Sequence, residues 1–247
     1  MKTLGIIPAR FASTRFPGKP LALIGGKTML QRVFEQVGRA TLLQEIVIAT
    51  DDERIFNHAI EFGAKAFMTR SDHQSGTDRC AEVAHSYPLA DVIVNIQGDE
   101  PFIDPSQIDA VIAPFAEQSE INITTLGKRI TDPDTLFSPN AVKVVKNQFG
   151  HALYFSRHPI PFLRGLELTD WISQKLHFKH LGIYGYRRDT LLKISLLQPS
   201  LYERAESLEQ LRWLEAGYKI YVGETHQESI GIDTPEDLEK VKKQFEL

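Results

Sequence analysis

The sequence predicts an α/β fold: a mainly parallel central sheet with helices on both faces, continued in its second half by an irregular β extension. Three observations carry this expectation. Short Ile/Val-rich runs alternate with amphipathic stretches through the first half. The last helix is sharply marked at its N-terminus, and the second half returns to strand-like runs separated by long connections rich in Pro and aromatics.

Taken in chain order, Thr3–Pro8 (TLGIIP) reads as a buried strand, short and bounded by turn residues. Thr28 caps a helix to about Arg39, with Met29, Leu30, Val33, Phe34 and Val37 on one face. Glu45–Ala49 (EIVIA) is the second strand, followed by a helix that Asp51 caps and that runs through Phe62 to a stop at Gly63. Asp91–Ile96 (DVIVNI) is the third strand, and Pro105 after Asp104 opens the next helix. In the second half Ala141–Lys146, Leu153–Phe155 and Leu176–Arg187 read as strands. Thr234 caps the last helix, with Pro235 in its first position and Glu236 and Asp237 in its first turn. No repeat, charge block or low-complexity tract divides the chain, so residues 1–247 are expected to form a single domain.

The bulk composition narrows the classes of function. With 247 residues, 42% hydrophobic and 24% charged, the chain can bury a full-sized core as a soluble protein. A net charge of -4 argues against a nucleic-acid backbone or an anionic membrane as partner. The single cysteine, Cys80, excludes an internal disulfide and reads as core filler. The apolar run from Leu4 to Ala9 is too short for a signal-peptide core, and no run approaches the ~20 apolar residues of a membrane span. Asn122-Ile123-Thr124 is formally a glycosylation sequon, but no secretion signal accompanies it. A cytoplasmic location is expected.

In an open parallel sheet the ligand sits beyond the carboxyl ends of the strands. Two unusual loops fall on that edge. The first, Pro8–Leu21, carries Arg10, Arg15 and Lys19 among Gly, Pro, Ser and Thr. It is not a Walker A loop: Gly26-Lys27-Thr28 supplies the tail, but the leading glycine would stand where Leu21 is. No dinucleotide fingerprint is present either. A cation about 4 Å from a phosphate contributes on the order of 4 kcal/mol at an effective dielectric of 20, so three of them suit a polyanion. The plain alternative is a solvated loop with scattered cations.

The second loop, Gln97-Gly98-Asp99-Glu100-Pro101, sets carboxylates just past a buried strand, where they suit a divalent cation beside phosphates. A cap for the following helix is the other reading, and Asp104 fills that role better. His73–Arg79 is a polar turn leading into a helix; it can bind an anion or a base edge, or Ser75 or Thr77 can simply cap the helix with Arg79 solvated. Alternation along Leu176–Arg187 puts His180, Tyr184 and Tyr186 on one face and His177 on the other, which speaks against a two-histidine chelate. His180 and Tyr184 can read a hydroxylated or carboxylated ligand or form a satisfied half-buried pair. Asp233 has no structural task, because Thr234 already serves the cap. Glu206, Glu209 and Gln210 read as a solvated helix face. No Ser/His or Cys/His nucleophile arrangement is evident.

Seven segments in order resemble the 3-deoxy-manno-octulosonate (Kdo) cytidylyltransferases, and they span nearly the whole chain. They are P-A-R-x-x-S-x-R-x-P-G-K-P-L at Pro8–Leu21, H-x-S-G-T-D-R at His73–Arg79 and N-x-Q-G-D-E-P at Asn95–Pro101. Y-F-S-R-x-P-I-P at Tyr154–Pro161, H-x-G-I-Y-G-Y-R at His180–Arg187, A-E-x-L-E-Q-L-R at Ala205–Arg212 and G-I-D-T-P-E-D-L at Gly231–Leu238 complete the set. The first is shared in looser form by CMP-sialate synthetases; the His180 and Ala205 segments point to Kdo.

The resemblance implies a Rossmann-like nucleotidyltransferase fold and a homodimer, with residues at about 140–190 serving the sugar site and the dimer contact. It implies the Mg²⁺-dependent reaction of CTP with Kdo to give CMP-Kdo and pyrophosphate, a step of lipopolysaccharide biosynthesis. Arg10, Ser13, Arg15 and Lys19 would hold the triphosphate, and Arg79, Gln97 and the Ser75-Gly76-Thr77 turn would line the cytidine pocket. Asp99 and Asp233 would bind the metal, with Lys19 and Arg15 beside them in the catalytic group. Arg157, His180, Tyr184, Glu209 and Gln210 would hold the sugar acid. Phe162–Lys175 matches no motif, and Thr190 stands where a bulkier aromatic is usual. Two alternatives remain at this point: a related sugar acid, such as a sialic acid or the 8-amino analogue of Kdo, or a non-catalytic nucleotide-binding module.

Overall fold

Ile/Val-rich strands and one-sided helices alternate through the first half as their patterning requires, and the computed structural model describes residues 1–12, 15–228 and 230–244. β1 (Thr3–Pro8) leads through a short hairpin, β2 (Leu23–Ile24) and β3 (Lys27–Thr28), into α1 (Met29–Val37). Thr28 accepts the backbone N–H of Gln31, so it is the cap its sequence position suggests. β4 (Glu45–Thr50), α2 (Glu53–Glu61), β5 (Lys65–Met68), α3 (Gly76–His85), β6 (Val92–Asn95) and α4 (Pro105–Ile112) follow. The cap of α2 is Asp52, not Asp51; its side chain accepts the N–H of Arg54, which leaves Asp51 for another partner. Gly63 ends that helix at φ 83°, a left-handed conformation that glycine adopts without strain.

The second half holds α5 (Pro114–Glu117), β7 (Ile123–Arg129), α6 (Pro133–Phe137), β8 (Lys143–Lys146), β9 (Ala152–Ser156) and β10 (Phe178–Arg187). α7 (Arg188–Ile194), α8 (Leu201–Glu206), α9 (Gln210–Glu215), β11 (Ile220–Thr225) and α10 (Pro235–Gln244) complete the chain. The main sheet runs in the order β11-β7-β10-β6-β1-β4-β5. β1 pairs in parallel with both β4 and β6, β4 with β5, and β7 with β11. β10 is antiparallel to both its neighbours, β6 and β7, and also pairs with β8, which carries β9. The expected parallel sheet with a β extension is therefore present. β5, β7 and β11 are strands that the sequence patterning did not reveal.

Alternation along the strands splits the core between the two faces of the sheet. Leu4, Ile6, Val47 and Ile93 pack with Cys80 and Val83 of α3, Leu191 of α7 and Trp213 of α9. Ile7, Ile48, Val92 and Val94 pack on the other face with Val33 of α1, Ile55 of α2 and Ile108 of α4. A smaller cluster joins Ile24 and Met29 to Ile232, Leu238 and Val241, which docks α10 against the start of α1. In the unassigned Phe162–Lys175 stretch, Trp171 is buried with Ile130 and Leu136, and His177 stacks on it with ring centroids 5.6 Å apart. His177 thus serves packing on the face opposite His180. Thr190 is buried beside Asn122, at 3.4 Å. Among the described residues no helix is long and apolar enough to cross a membrane.

Candidate active site

Three chain segments meet beyond the carboxyl ends of β1 and β6 and enclose a cleft of about 330 Å³. The loop after β1 brings Arg10, Arg15 and Lys19, the segment into α3 brings His73, Gln74, Ser75, Gly76 and Arg79, and the loop after β6 brings Gln97, Gly98 and Asp99. Asp233 reaches the same cleft from the far end of the chain.

Local chemistry explains each approach. The basic loop turns at Gly18, whose φ of 71° would strain any residue with a Cβ and whose N–H donates to Phe11 O at 3.0 Å. Phe11 is held in turn by the Arg54 guanidinium, 3.3 Å above its ring centroid. Gly98 passes so close to β1 that a Cβ would lie 2.8 Å from Pro8 O, so the Asp99 loop can seat itself there only with glycine. Ile232 is fully buried and donates its N–H to Asp99 O at 3.0 Å, which fixes the neighbouring Asp233 beside Asp99.

The charges inside the cleft converge. Lys19 Nζ lies 2.7 Å from Asp99 Oδ2 and 3.3 Å from Asp233 Oδ1, and Arg15 Nη1 lies 3.2 Å from Asp233 Oδ2. Arg10 is exposed at the mouth. Ser13 lies outside the described residues. Two carboxylates reaching one cation form a hard oxygen pair, which suits Mg²⁺. Among the described residues no group of three or more His, Cys, Asp or Glu is arranged to hold a metal. A pair is nevertheless what Mg²⁺ needs when substrate phosphates and waters supply the remaining ligands. The residues present fit the ion.

Ser75 proves to be both cap and cleft wall. It accepts the N–H of Asp78 at 3.1 Å while Asp78 accepts its N–H in return, a capping box at the start of α3, where Ser75 and Gly76 line the cleft. Arg79 is not solvated: it is 4% exposed, pairs with Asp51 Oδ2 at 3.3 Å and donates to Thr69 Oγ1. That pair is where Asp51, the first of two adjacent aspartates and the one not used in capping, becomes useful. His73 and Gln74 also line the cleft; the sequence placed them in the candidate turn without giving either a role of its own.

The other predicted residues form a second group joined to this cleft. Thr77 donates to Glu209 Oε2 at 2.7 Å, and Gln97 Nε2 donates to Gly182 O at 2.8 Å. His180 and Tyr184 lie together, ring centroids 5.4 Å apart, with Phe155 against the histidine at 4.9 Å. Arg157 donates through Nε to Glu206 O at 2.7 Å, two residues from the turn into α9. Glu209 is partly buried, and burial raises its carboxyl pKa against the opposing pull of Thr77 and Arg212. Gln210 is 6% exposed, and Glu206 accepts the Ser156 hydroxyl and the Arg157 N–H. None of these three is the solvated helix face that their spacing suggested.

Burial lowers the His180 pKa to about 3, so the ring is neutral at working pH, with Thr125 Oγ1 2.9 Å from Nε2. An unfolded histidine titrates near 6.5. Between pH 6.5 and about 3 the unfolded chain therefore binds a proton that the native state refuses. This group costs stability as pH falls, by up to about 1.4 kcal/mol per pH unit, and costs nothing above that window. A His180→Asn variant is expected to lose less stability than the wild type between pH 6.5 and 4 in urea unfolding. Parallel curves would show that the ring protonates freely in the folded protein.

Phosphate charge is what such a cleft is shaped to meet, and the sheet beneath it places the molecule among the nucleotidyltransferases. The comparisons sharpen that class. Residues 4–220 match the family model for cytidylyltransferases. The chain is similar to a 3-deoxy-manno-octulosonate cytidylyltransferase of Solibacter usitatus, 56% identical and covering 99% of this chain and 94% of that one. It is also similar to one of Parabacteroides distasonis, 53% identical over 97% and 96% of the two chains. Among solved structures, a CMP:2-keto-3-deoxy-manno-octonic acid synthetase complexed with CTP matches with a TM-score of 0.92 at 42% identity, covering 100% of this chain and 99% of that one. The chain belongs to the 3-deoxy-manno-octulosonate cytidylyltransferase family.

Proposed function

We propose that this enzyme transfers the cytidylyl group of CTP to the anomeric hydroxyl of Kdo, releasing pyrophosphate. The observation that carries the reading is the convergence of Lys19 on Asp99 and Asp233 at the ligand edge of the sheet, beside Arg15. The anomeric oxygen attacks the α-phosphorus in line and gives up its proton to solvent; the new P–O bond forms as the α–β bridge breaks, and pyrophosphate carries away that electron pair. Asp99 and Asp233 would hold Mg²⁺, which supplies Lewis-acid polarisation of the α-phosphate and lowers the pKa of the attacking hydroxyl. Arg10, Arg15 and Lys19 would hold the triphosphate and meet the charge that shifts onto the leaving group. The first turn of α3, with Ser75, Gly76, Thr77, Arg79 and Gln97, would receive the cytidine.

The second group receives the sugar acid in this reading. Arg157 offers a planar fork to its carboxylate, while His180, Tyr184, Glu209 and Gln210 offer donors and acceptors to its hydroxyls. Residues at about 140–190 would support that side of the site and a homodimer contact. Pyrophosphate release with CTP, Kdo and Mg²⁺, repeated with UTP, dTTP, a sialic acid and the 8-amino analogue, tests the assignment. Release with CTP and Kdo is expected to exceed every other combination. CTP binding with no release in any arm would reduce the protein to a nucleotide-binding module.

A further inference from the structure

A buried ammonium group stands behind the residues assigned to the sugar acid and touches none of the cleft described above. Lys143, the first residue of β8, is 0% exposed. Its Nζ donates to Ser138 O at 2.8 Å, to Ala141 O at 2.6 Å and to Arg157 O. An ammonium has three N–H groups, and here each meets a backbone carbonyl. Desolvation makes such a group costly, and an apolar side chain of similar length would fill the space without that cost. Burial lowers the Lys143 pKa; the charge of Glu206 opposes that shift and the charge of Arg157 adds to it.

The three carbonyls belong to chain segments that must be held in register. One pair comes from the turn at residues 138–141, and the third is the backbone of Arg157 just past β9. Arg157 repeats the pattern one layer outward. Its Nε donates to Glu206 O at 2.7 Å, Nη1 to Pro139 O at 3.0 Å and Nη2 to Ser207 O at 3.3 Å. Glu206 closes the unit by accepting the Arg157 N–H at 2.9 Å and the Ser156 hydroxyl at 2.6 Å. Ser207 sits at φ 53°, left-handed without being glycine, at the joint where α8 ends and the chain turns toward Glu209 and Gln210. Such a conformation persists only where its surroundings hold it. Of the five guanidinium N–H groups of Arg157, these bonds occupy three and leave two for a ligand.

We infer that Lys143 is a positioning residue for the sugar-acid side of the site: through its carbonyl cage it fixes Arg157, and through Arg157 the 206–207 turn that aims Glu209 and Gln210. This inference rests on the function proposed above. Removing the ammonium leaves three carbonyls without their donor, and the segments they anchor lose their common reference.

Lys143→Met, which keeps length and volume, is the test, read by steady-state pyrophosphate release with CTP and Kdo varied in turn. The KM for Kdo is expected to rise about tenfold or more, equivalent to about 1.4 kcal/mol, while the KM for CTP changes by less than about twofold. In an Arg157→Met background the same substitution is expected to add less than about twofold, because both act through one unit. Glu206→Gln withdraws the opposing charge by a route that leaves Lys143 in place, and it is expected to show the same split should Lys143→Met fold poorly. Equal shifts in both KM values, a lower yield of active enzyme with both KM values unchanged, or effects of Lys143→Met and Arg157→Met that simply multiply would each overturn the role of Lys143. Wild-type turnover with Kdo, run alongside, reports separately on the proposed function; its absence would overturn that reading and this one together.

Discussion

Asp99→Asn is expected to lower kcat/KM for pyrophosphate release about 1,000-fold, equivalent to about 4 kcal/mol of transition-state stabilisation. The substitution keeps the shape of the side chain and its seat beyond Gly98, but under the proposed assignment it removes one of the two carboxylates that would hold the metal, and among the described residues no group of three or more such ligands is arranged to compensate. Fold stability should change little, because Asp99 is partly exposed and its main partner, Lys19, keeps Asp233 at 3.3 Å. A Mg²⁺ titration separates the causes. If the carboxylate serves the metal, the variant needs far more Mg²⁺ to reach half its own maximal rate. Near-wild-type turnover with an unchanged Mg²⁺ dependence would remove Asp99 from the metal assignment.

Lys19→Met is the second large effect. Under the proposed mechanism Lys19 meets the charge that appears as pyrophosphate departs, so the loss should fall on kcat, by about 100-fold to 1,000-fold, with the Kd for CTP rising by less than about tenfold. Arg10 and Arg15, which also line the cleft, would remain to hold the ground-state triphosphate. The opposite pattern, weak CTP binding with kcat retained, would make Lys19 an ordinary binding residue. The free chain adds a second readout. Lys19 is the cation that Asp99 and Asp233 share at 2.7 and 3.3 Å, and without it, among the described residues, Asp233 keeps its ion pair with Arg15 while Asp99 loses its ion pair. Mn²⁺ binding in the absence of nucleotide, followed by electron paramagnetic resonance, should therefore tighten in Lys19→Met.

Much of the frame was legible because its signals are local. The strands at Thr3–Pro8 and Glu45–Thr50, the cap at Thr28 and the stop at Gly63 each depend on a few adjacent residues. The missed strands do not. β7 reads ITTLGKR, and its buried Thr124 and Thr125 are tolerable because Val111 O accepts the Thr124 hydroxyl and Leu181 O and Ile183 O both lie within reach of the single Thr125 O–H across the fold. β11 carries Gly223 against Leu126, a small residue whose reason lies in another strand.

The candidate site divides in the same way. The basic loop and the Asp99 loop stand out because polar residues follow directly on buried strands. Glu206, Glu209 and Gln210 were misread because one helical face was assumed across them. Ser207, at φ 53°, breaks the helix there and resets the face, so Glu206 and Glu209 look toward different partners. Asp233 could be recognised only as a residue left over. Its use depends on a hydrogen bond between Ile232 and Asp99, which local patterning cannot show.

The bond between Lys19 and Asp233 joins residues 214 positions apart, and β10 enters the sheet between strands made before it. Contacts of such long sequence separation form late and slow folding. On the ribosome, the first half can assemble β1, β4, β5 and β6 while the cleft still lacks its second carboxylate. The nascent chain therefore carries the basic loop and Asp99 well before Asp233 joins them, and under the proposed function turnover waits for Asp233 to be translated. A ribosome-release time course would see nucleotide binding appear ahead of turnover.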